Sequence, residues 1–358
     1  MTIGFDVRWR LHGKEPMHIE PELFGLLQEI ESSGSLQDAA KTLGISYRYA
    51  WDLIRKWSAR IGHPLADLQR GRGTKLTALG AKLLWAQRRV NARLGPTLES
   101  LASEVDTEMS SLVRSKDVPP LRVHASHGLA IAILRDMLNN LEPGAIDLQF
   151  RGSLDSLRVY RSGKCDIAGF HMPEGRLGEE VGPRFRRLLD PSTDILVHVV
   201  RRDQGMMTAA GNPKKITGLK DLLRKNVTMI NRQPSSGTRL ILDALLAQAA
   251  VDPQKIRGYG NEEFTHMAVA AMVASGAADV GFGIRAAAAQ LGLSFVSLVH
   301  ESYVFALNRD RLRSAEIARL RDVLRSDEFR RRIAALPGYD ASLSGNIVDM
   351  ESVFRLTT

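Results

Sequence analysis

The sequence predicts a multidomain protein in which an α-helical N-terminal part is followed by a larger α/β part. Three observations lead to this prediction. Two short amphipathic helices joined by a tight turn are indicated between Ser35 and Lys56, a long apolar stripe at helical spacing follows Thr77, and short apolar strands alternate with helical stretches from Leu121 onward. At 358 residues the chain is too long for one ordinary core, so two or three domains are expected.

The helix pair carries start and stop signals for two consecutive helices. Ser35 is a predicted N-cap with Asp38 in the first turn, Gly44 is a predicted left-handed C-cap, and Ser46 caps the second helix. The apolar positions of the second helix form one stripe, which consists of Ala50, Leu53, Ile54 and Trp57. The pattern is typical of a helix-turn-helix, whose second helix enters the major groove of DNA.

The polar face of the second helix and the local charge both favour double-stranded DNA as a partner. Arg48, Asp52 and Arg55 lie opposite the apolar stripe, where their side chains are available to base edges and phosphates. Between Lys41 and Arg93 twelve basic residues face two acids, a local charge of +10 in a chain whose formal total is +9. The excess is therefore a localised patch, as a polyphosphate partner requires; a solvated basic face is the alternative.

Two further elements follow the helix pair. The glycines around Arg70 and Arg72 permit a tight hairpin with these arginines at its tip, so we predict a wing that contacts phosphates or the minor groove. Thr77 is a predicted N-cap of a long linker helix, in which Gly95-Pro96 predicts a kink or a division into two helices. Because one helix cannot bury its own stripe, we expect it to pair with a second subunit in preference to packing on its own chain.

These N-terminal elements resemble a known family. The runs SGSLQDAAKTL, GISYRYAWDLIRKW and LTALGAKLL, with the glycine-rich turn, resemble the winged helix of the molybdate-responsive ModE regulators, related to the LysR-type DNA-binding domain, over roughly residues 17–94. The resemblance implies a homodimer on a palindromic operator. ModE proteins continue into molybdate-binding barrels, whereas this chain continues differently. The assigned DNA-contacting residues are Ser46, Tyr47, Arg48, Tyr49, Arg55, Lys56, Arg70, Arg72 and Lys75.

The α/β part begins after the proline pair Pro119-Pro120. Strands are predicted at LRVHAS, AIDLQF, DIAGF, ILVHVV, VTMI, ADVGFGI and FVSLV, in a largely parallel sheet. We thus predict a DNA-binding domain at 17–76, a linker and dimerisation helix at 77–117 and a ligand-sensing domain at 120–358.

Three turns after predicted strands are rich in small polar residues, and ligands of open α/β sheets bind at this end of the strands. The sharpest is NRQPSSGTR, which precedes an amphipathic helix and offers backbone N–H groups and hydroxyls to an anion. The alternative is that the serines serve only as helix caps. The candidate ligand-binding residues are Ser126, His127, Gly128, Gly152, Ser153, His171, Arg232, Ser235, Ser236, Gly237, Thr238, Arg239 and His266.

Several other classes of protein lack their signatures. The sequence has no HExxH or Cys/His ligand spacing, no GxSxG elbow and no GxxxxGK[ST] loop, so we predict no metal, no cofactor and no enzymatic activity. The single cysteine, Cys165, is predicted to be a buried apolar residue. No uncharged run reaches the roughly 18 residues of a membrane helix, and the N-terminus does not resemble a signal peptide, so a cytoplasmic protein without a membrane partner is expected.

From Leu121 to about Leu307 the chain resembles the type II periplasmic-binding-protein-like domain found in some cytoplasmic regulators and attached to some molybdopterin-biosynthesis proteins. The resemblance rests on SHGL, RGSLDSL, GKCDIAGFHMPEG, RRDQGMMTAAGNP, INRQPSSGTR, GYGNEEFTHMAVAAMVASGAADVGFGI and HESYVFAL. It implies two α/β lobes, one at about 120–200 and 302–358 and the other at about 201–301, with crossovers near 199–202 and 299–303 and the ligand between them.

The combined architecture resembles regulators of formate dehydrogenase operons. The resemblance implies formate as the favoured ligand, molybdate or tungstate next, and control of a formate dehydrogenase or molybdenum-related operon. We predict a one-component transcription regulator that binds an operator, a small anion and a second copy of itself. The alternative is a protein of molybdenum-cofactor biosynthesis or delivery with the basic N-terminus as an interaction module. The sequence leaves open the ligand, the sign of regulation, the operator and the choice between dimer and tetramer.

Overall fold

The computed structural model describes residues 3–12, 16–69, 73–113, 120–142, 145–234 and 236–354. They fold as two compact units, of which one comprises residues 6–91 and the other residues 1–5 together with 92–358. Among the described helices, none is both long enough and apolar enough to cross a membrane.

The N-terminal unit contains three short helices and two small hairpins. In chain order they are β1 (Arg10–Leu11), β2 (Met17–His18), α1 (Pro21–Ser33), α2 (Leu36–Thr42), α3 (Tyr47–Ile61), β3 (Ala66–Gln69) and β4 (Gly73–Leu76). The predicted caps are confirmed, because the Ser35 hydroxyl accepts from the Asp38 amide at 3.2 Å and that of Ser46 accepts from the Tyr49 amide at 3.1 Å. Gly44 has the left-handed φ of 68° that ends the first helix of the pair.

The core of this unit is the predicted stripe of α3 packed between α1 and α2. Ala50, Leu53, Ile54 and Trp57 are all at most 3% exposed. The sequence did not indicate β1 and β2, which add Leu11 and Met17 to the same core. The hairpin of β3 and β4 forms antiparallel pairs from Ala66↔Leu76 to Gln69↔Gly73; Arg70 and Arg72 lie outside the described residues.

A single helix, α4 (Ala78–Val113), continues from the N-terminal unit into the larger one. The Thr77 hydroxyl accepts from the Gly80 amide at 3.1 Å, which confirms the predicted cap. Of the two alternatives predicted at Gly95-Pro96, the division into two helices is wrong, because α4 runs through Pro96, and the kink stays a prediction. Although α4 was expected to pair mainly with a second subunit, it also packs on its own chain. Ser103 is buried, and its hydroxyl accepts from the amide of Leu148 at 2.8 Å. Such tertiary contacts hold the helix together where proline alone would weaken it.

The larger unit alternates strands and helices as the sequence predicts. Its first half contains β5 (Leu121–Ala125), α5 (Leu129–Leu141), β6 (Ile146–Phe150), α6 (Ser153–Arg161), β7 (Ile167–Pro173), α7 (Arg176–Arg186) and β8 (Asp194–Thr208). Its second half contains β9 (Met229–Arg232), α8 (Gly237–Gln248), β10 (Glu262–Glu263), α9 (His266–Ala274), β11 (Val280–Ile284), α10 (Arg285–Gln290), β12 (Ser294–Asn308), α11 (Ala315–Arg325), α12 (Asp327–Ala334), β13 (Tyr339–Asp340), β14 (Ile347–Val348) and α13 (Met350–Phe354). All seven predicted strands are present.

The strands form one sheet in the order β10-β9-β11-β8-β12-β7-β5-β6, with β13 and β14 also paired to β8. The strands at each end of this order are parallel, and the two central strands, β8 and β12, are antiparallel to their neighbours. Each of these central strands is 15 residues long, and together they pass from one half of the sheet to the other. The register between them shifts twice, between Ser297 and Val299 and between Tyr303 and Val304.

The two halves of the sheet are two lobes with separate apolar cores. The first lobe has cores on both faces of β7 and of the first part of β8, with β5 contributing to one of them, and the second has cores on both faces of β9 and β11. The chain returns to the first lobe through α11 and α12, which bury Ile317, Leu320 and Phe329. Ser326 separates the two helices and caps α12, since its hydroxyl accepts from the Phe329 amide at 3.2 Å.

Candidate functional site

A cavity of about 210 Å³ lies between the two lobes of the larger unit. Most of its wall comes from turns that follow strands, together with part of α4. The lining residues are Arg93, Pro96, Thr97, Ser126, His127, Phe150, Arg151, Gly152, His171, Arg202, Arg232, Gln233, Ser236, Gly237, Thr238, Phe264 and His266. The structure therefore brings nine of the predicted ligand residues together around one space: Ser126, His127, Gly152, His171, Arg232, Ser236, Gly237, Thr238 and His266.

Helix N-termini from both lobes meet at this cavity. Gly152 precedes α6 in the first lobe, and Ser236 caps α8 in the second, where its hydroxyl accepts from the Arg239 amide at 3.1 Å. The Gly237 and Thr238 amides form the first turn of α8, which has no intrahelical partners for its N–H groups. Aligned peptide dipoles and open amides at such ends favour a bound anion.

Hydroxyl groups support the turns of the first lobe. The Ser126 and Ser153 hydroxyls are 3.1 Å apart, and the His171 amide donates to Ser153 Oγ at 3.3 Å. The Ser126 amide donates to the hydroxyl of Tyr303 at 3.1 Å, across the sheet from β12. These bonds therefore connect the turns after β5 and β6 to β7 and β12.

Arg232 is the main electrostatic feature of the cavity. Its side chain is buried, donates to the Phe264 carbonyl at 2.9 Å and to Gln233 Oε1 at 3.2 Å, and among the described residues has no carboxylate within ion-pairing distance. Burial, followed by the positive charge of Arg202, lowers the pKa of its guanidinium from its ordinary value to about 9, which still leaves a cation at neutral pH. A buried cation without a paired acid is costly, so this position favours an anionic ligand.

A second buried cation, Arg202, lies in the middle of β8 and was not indicated by the sequence. Its guanidinium pairs with Glu301, which faces it on β12, and also contacts His171 Nε2 at 3.0 Å. Burial opposes the charge of Arg202, but the Glu301 carboxylate raises its pKa above the ordinary value. Since a guanidinium has only donors, His171 Nε2 accepts this bond and the ring carries its proton on Nδ1.

The two buried histidines of the cavity are neutral. Burial, and then the charges of Arg202 and Arg232, hold the pKa of His171 well below its usual range. The same causes, burial first, hold the pKa of His266 well below its usual range. The Nδ1 atom of His266 has no hydrogen-bond partner among the described residues, and that of His171 lies 3.4 Å from Glu301 Oε1. Each histidine thus presents a neutral polar ring beside two buried cations.

Three predicted ligand residues do not line the cavity. Ser153 is fully buried and supports the wall through the hydroxyl bonds described above, and Gly128 is the N-cap of α5. Arg239 lies behind the wall, where its Nη1 donates to the Arg232 carbonyl at 3.0 Å and its Nε to Asp243 at 2.9 Å. Ser235 lies outside the described residues.

Besides Arg202, seven lining residues were not assigned from the sequence. They are Arg93, Pro96, Thr97, Phe150, Arg151, Gln233 and Phe264. Phe150, Arg151 and Gln233 stand in or beside the turns that carry assigned residues, and were within reach of the same reasoning. Phe264 lies two residues before the assigned His266, and the other three belong to α4, whose pattern indicated only a helix.

The exposed face of α3 is the second candidate site. Ser46, Tyr47, Arg48, Tyr49, Arg55 and Lys56 are exposed there, and Lys75 is exposed on β4. Tyr47 and Tyr49 are 54% and 44% exposed, an unusual position for two neighbouring large aromatic rings. Lys56 differs from the others, because its ammonium pairs with Glu20 and lies 5.4 Å from the centre of the Trp57 ring.

Cys165 is buried, as predicted, and burial raises the pKa of its thiol to about 11. Within the described ranges no group of three or more His, Cys, Asp or Glu side chains is arranged to hold a metal ion.

Comparison with known proteins gives matches over both units. The PBP superfamily domain matches residues 135–325. The uncharacterized protein YvgK of Bacillus subtilis strain 168 is 29% identical over 320 residues, which cover 88% of this chain and 98% of YvgK. The DNA-binding transcriptional dual regulator ModE of Escherichia coli K12 is 33% identical over 75 residues, which cover 20% of this chain and 29% of ModE. The structure of a Corynebacterium glutamicum OxyR mutant with bound H2O2 covers 88% of this chain and 92% of its own, at 15% identity and a TM-score of 0.43.

Proposed function

This chain belongs to the PBP superfamily, and we propose that it is a DNA-binding transcription regulator whose two-lobed domain senses a small oxyanion or carboxylate. The observation that carries the proposal is Arg232, a buried guanidinium beside Arg202 and the N-terminus of α8 in the cavity between the lobes. Two buried cations and open helix amides recognise an anion by charge and hydrogen bonding together.

The candidate ligands are formate, molybdate, tungstate and a small carboxylate. Formate follows from the resemblance to regulators of formate dehydrogenase operons. The cavity of about 210 Å³ has room for an anion with four oxygens as well as for formate. A tetrahedral oxyanion also presents four acceptors, enough to engage both guanidiniums and the α8 amides at once. We therefore place molybdate and tungstate before formate.

The DNA-binding part of the proposal rests on α3. Its exposed cations and tyrosines have the arrangement of a recognition helix, and the similarity to ModE, a DNA-binding protein, supports the same role here. A homo-oligomer follows from α4, whose apolar residues Leu94, Leu101 and Met109 are 40–46% exposed in a single chain. A second copy of α4 is the partner that such a stripe fits.

The regulatory step is closure of the lobes around the anion. A ligand shifts the equilibrium between open and closed lobes only through contacts that differ between them. Arg232 and Thr238 come from the second lobe, whereas Ser126 and Gly152 come from the first, so an anion that contacts both sets favours closure. Closure then alters the DNA affinity of the oligomer.

Two measurements on the purified full chain test the proposal. Thermal unfolding with sodium molybdate, tungstate, formate or, as a control, chloride should show a rise in Tm for one of the first three at millimolar concentrations or below. A gel shift with DNA from upstream of the protein's own operon should show sequence-preferring binding that the same anion changes. Absence of both effects refutes the proposal. Anion binding without DNA binding would instead favour the delivery of a molybdenum-containing cofactor.

A further inference from the structure

The second half of α4 contacts both lobes of the larger unit. On the first lobe, Ser103 and Ser100 accept from the amides of β6 at 2.8 and 3.0 Å, and Glu99 pairs with Arg135 of α5 at 2.6 Å. On the second lobe, Arg93 Nε lies 3.3 Å from Glu263 Oε2 of β10. The helix therefore spans the opening between the lobes.

Arg93 of α4 both contacts the second lobe and lines the cavity. Its side chain is 44% exposed, lines the cavity and lies with its guanidinium carbon 5.5 Å from the centre of the Phe264 ring. Pro96 and Thr97, the residues one turn further along α4, line the same cavity. A molecule bound between the lobes is thus in reach of the linker helix itself.

We propose that Arg93 is a ligand-binding residue, so that the linker helix α4 contacts the bound anion directly. This inference rests on the proposed function, because it requires that the cavity binds an anion. Under it, α4 detects the anion through its own side chain as well as through movement of the lobes.

Glu263 acts as a positioning residue for Arg93. Its carboxylate is fully buried, so removal of a neighbouring cation would be costly, and Arg93 keeps this contact when the anion binds. A guanidinium has five N–H donors arranged as a fork. The contact through Nε leaves the terminal nitrogens to donate to an oxyanion, a geometry that a lysine ammonium does not reproduce.

Hydrogen exchange and calorimetric titration of the full chain with sodium molybdate, and in parallel with sodium formate, test the inference. In the wild type the anion should slow exchange in two peptides, one covering 236–248 of α8 and one covering 92–105 of α4. In Arg93→Ala, affinity should fall about tenfold, the loss expected for one charged hydrogen bond. At saturation, Arg93→Ala should still protect the α8 peptide while protection of the α4 peptide is lost.

Arg151→Ala is the matched control, since Arg151 is a second exposed arginine on the cavity wall but not on α4. At saturating anion, both the α8 and the α4 peptide of Arg151→Ala should exchange more slowly, whatever the affinity of this variant for the anion. Arg93→Lys should recover less than half of the binding free energy that Arg93→Ala loses. Two results overturn the role of Arg93 and leave the proposed function intact. In the first, the anion slows exchange of the wild-type α8 peptide but not of the α4 peptide. In the second, the α4 peptide of Arg93→Ala is protected as fully as that of the wild type. A wild type in which neither anion protects either peptide refutes both.

Discussion

The two candidate sites use the same kind of side chain in opposite environments. On α3, Arg48 and Arg55 are exposed to solvent, whereas in the cavity Arg202 and Arg232 are almost completely buried. Exposed cations are screened by salt and act together on an extended polyanion, and buried cations act strongly on one small anion. Under the proposed function, the chain separates recognition of DNA from recognition of a ligand by the burial of its arginines.

The largest effect that this comparison predicts concerns Arg232. Replacement Arg232→Met should weaken molybdate binding at least about 100-fold, because the variant lacks the buried charge that has no acid partner among the described residues. Titration calorimetry measures the loss, and DNA affinity in the absence of anion should stay unchanged. The molybdate affinity of Arg232→Lys, which keeps the charge without the planar fork, should lie between those of the wild type and Arg232→Met. Equal affinities of the wild type and Arg232→Met would show that the buried cation is structural.

The second prediction concerns pH. His171 and His266 have folded-state pKa values well below 6.5, so the unfolded chain binds more protons than the folded chain as pH falls below about 6.5. Their contribution to stability is complete above pH 6.5 and should decrease below it, by up to about 1.4 kcal/mol per pH unit for each histidine. Urea unfolding of the ligand-free chain between about pH 7.5 and 5.5, a window that brackets the ordinary histidine pKa, measures this slope.

The double variant His171→Gln, His266→Gln is the control for that slope. It should show a smaller pH dependence, although not none, because burial also lowers the pKa of His124 and His198. Molybdate should reduce the slope in the wild type, since its charge favours protonation of the neighbouring rings. A slope identical in the wild type and the double variant would contradict the assignment.

The third prediction concerns the exposed cations. Arg48→Ala and Arg55→Ala should each lower operator affinity by about tenfold and leave anion affinity unchanged. Each contact with a phosphate that is lost should also reduce the slope of log affinity against log salt by about 0.9. Arg330→Ala, an exposed arginine of the larger unit, serves as the matched control. If both α3 variants bind DNA as the wild type does, this face is not the recognition surface.

The smallest effect concerns Lys56, whose environment lies between the two extremes. Since Lys56 pairs with Glu20, and Glu20 accepts from Trp57 Nε1 at 2.6 Å, the lysine is partly engaged within its unit. Lys56→Ala should change DNA affinity by less than about threefold and destabilise the unit by at most about 1 kcal/mol, measured by urea unfolding. Glu20→Gln should give a similar destabilisation. A tenfold loss of DNA affinity in Lys56→Ala would move this residue into the recognition surface.

The local structure of the N-terminal unit was predictable because its signals are short in range. Ser35, Gly44 and Ser46 mark helix ends within a few residues of their partners, and the stripe of α3 repeats every three or four positions. The continuity of α4 was not predictable. Pro96 weakens a helix locally, and what holds α4 together includes contacts with β6, some fifty residues away along the chain.

The cavity was predictable only in part for the same reason. Turns rich in serine and glycine follow strands in an orderly way, so Ser126, Gly152 and Ser236 were found from the sequence. Arg202 was missed because charged residues inside β8 indicate the end of a strand, and its partner Glu301 becomes visible only through a pairing 99 positions away. Arg93 was missed because an arginine on a basic helix is indistinguishable from its neighbours until the helix is placed against the cavity.

Under the proposed function, the two long central strands determine the mechanics of lobe closure. Because β8 and β12 are continuous through both lobes and hydrogen-bonded to each other, closure bends a double-stranded ribbon and does not rotate free loops. Such a ribbon resists deformation elastically, and it yields most easily at its register shifts, near Ser297 and near Tyr303. The work of closing therefore increases with the angle, and the ribbon returns the lobes to their resting separation when the ligand leaves.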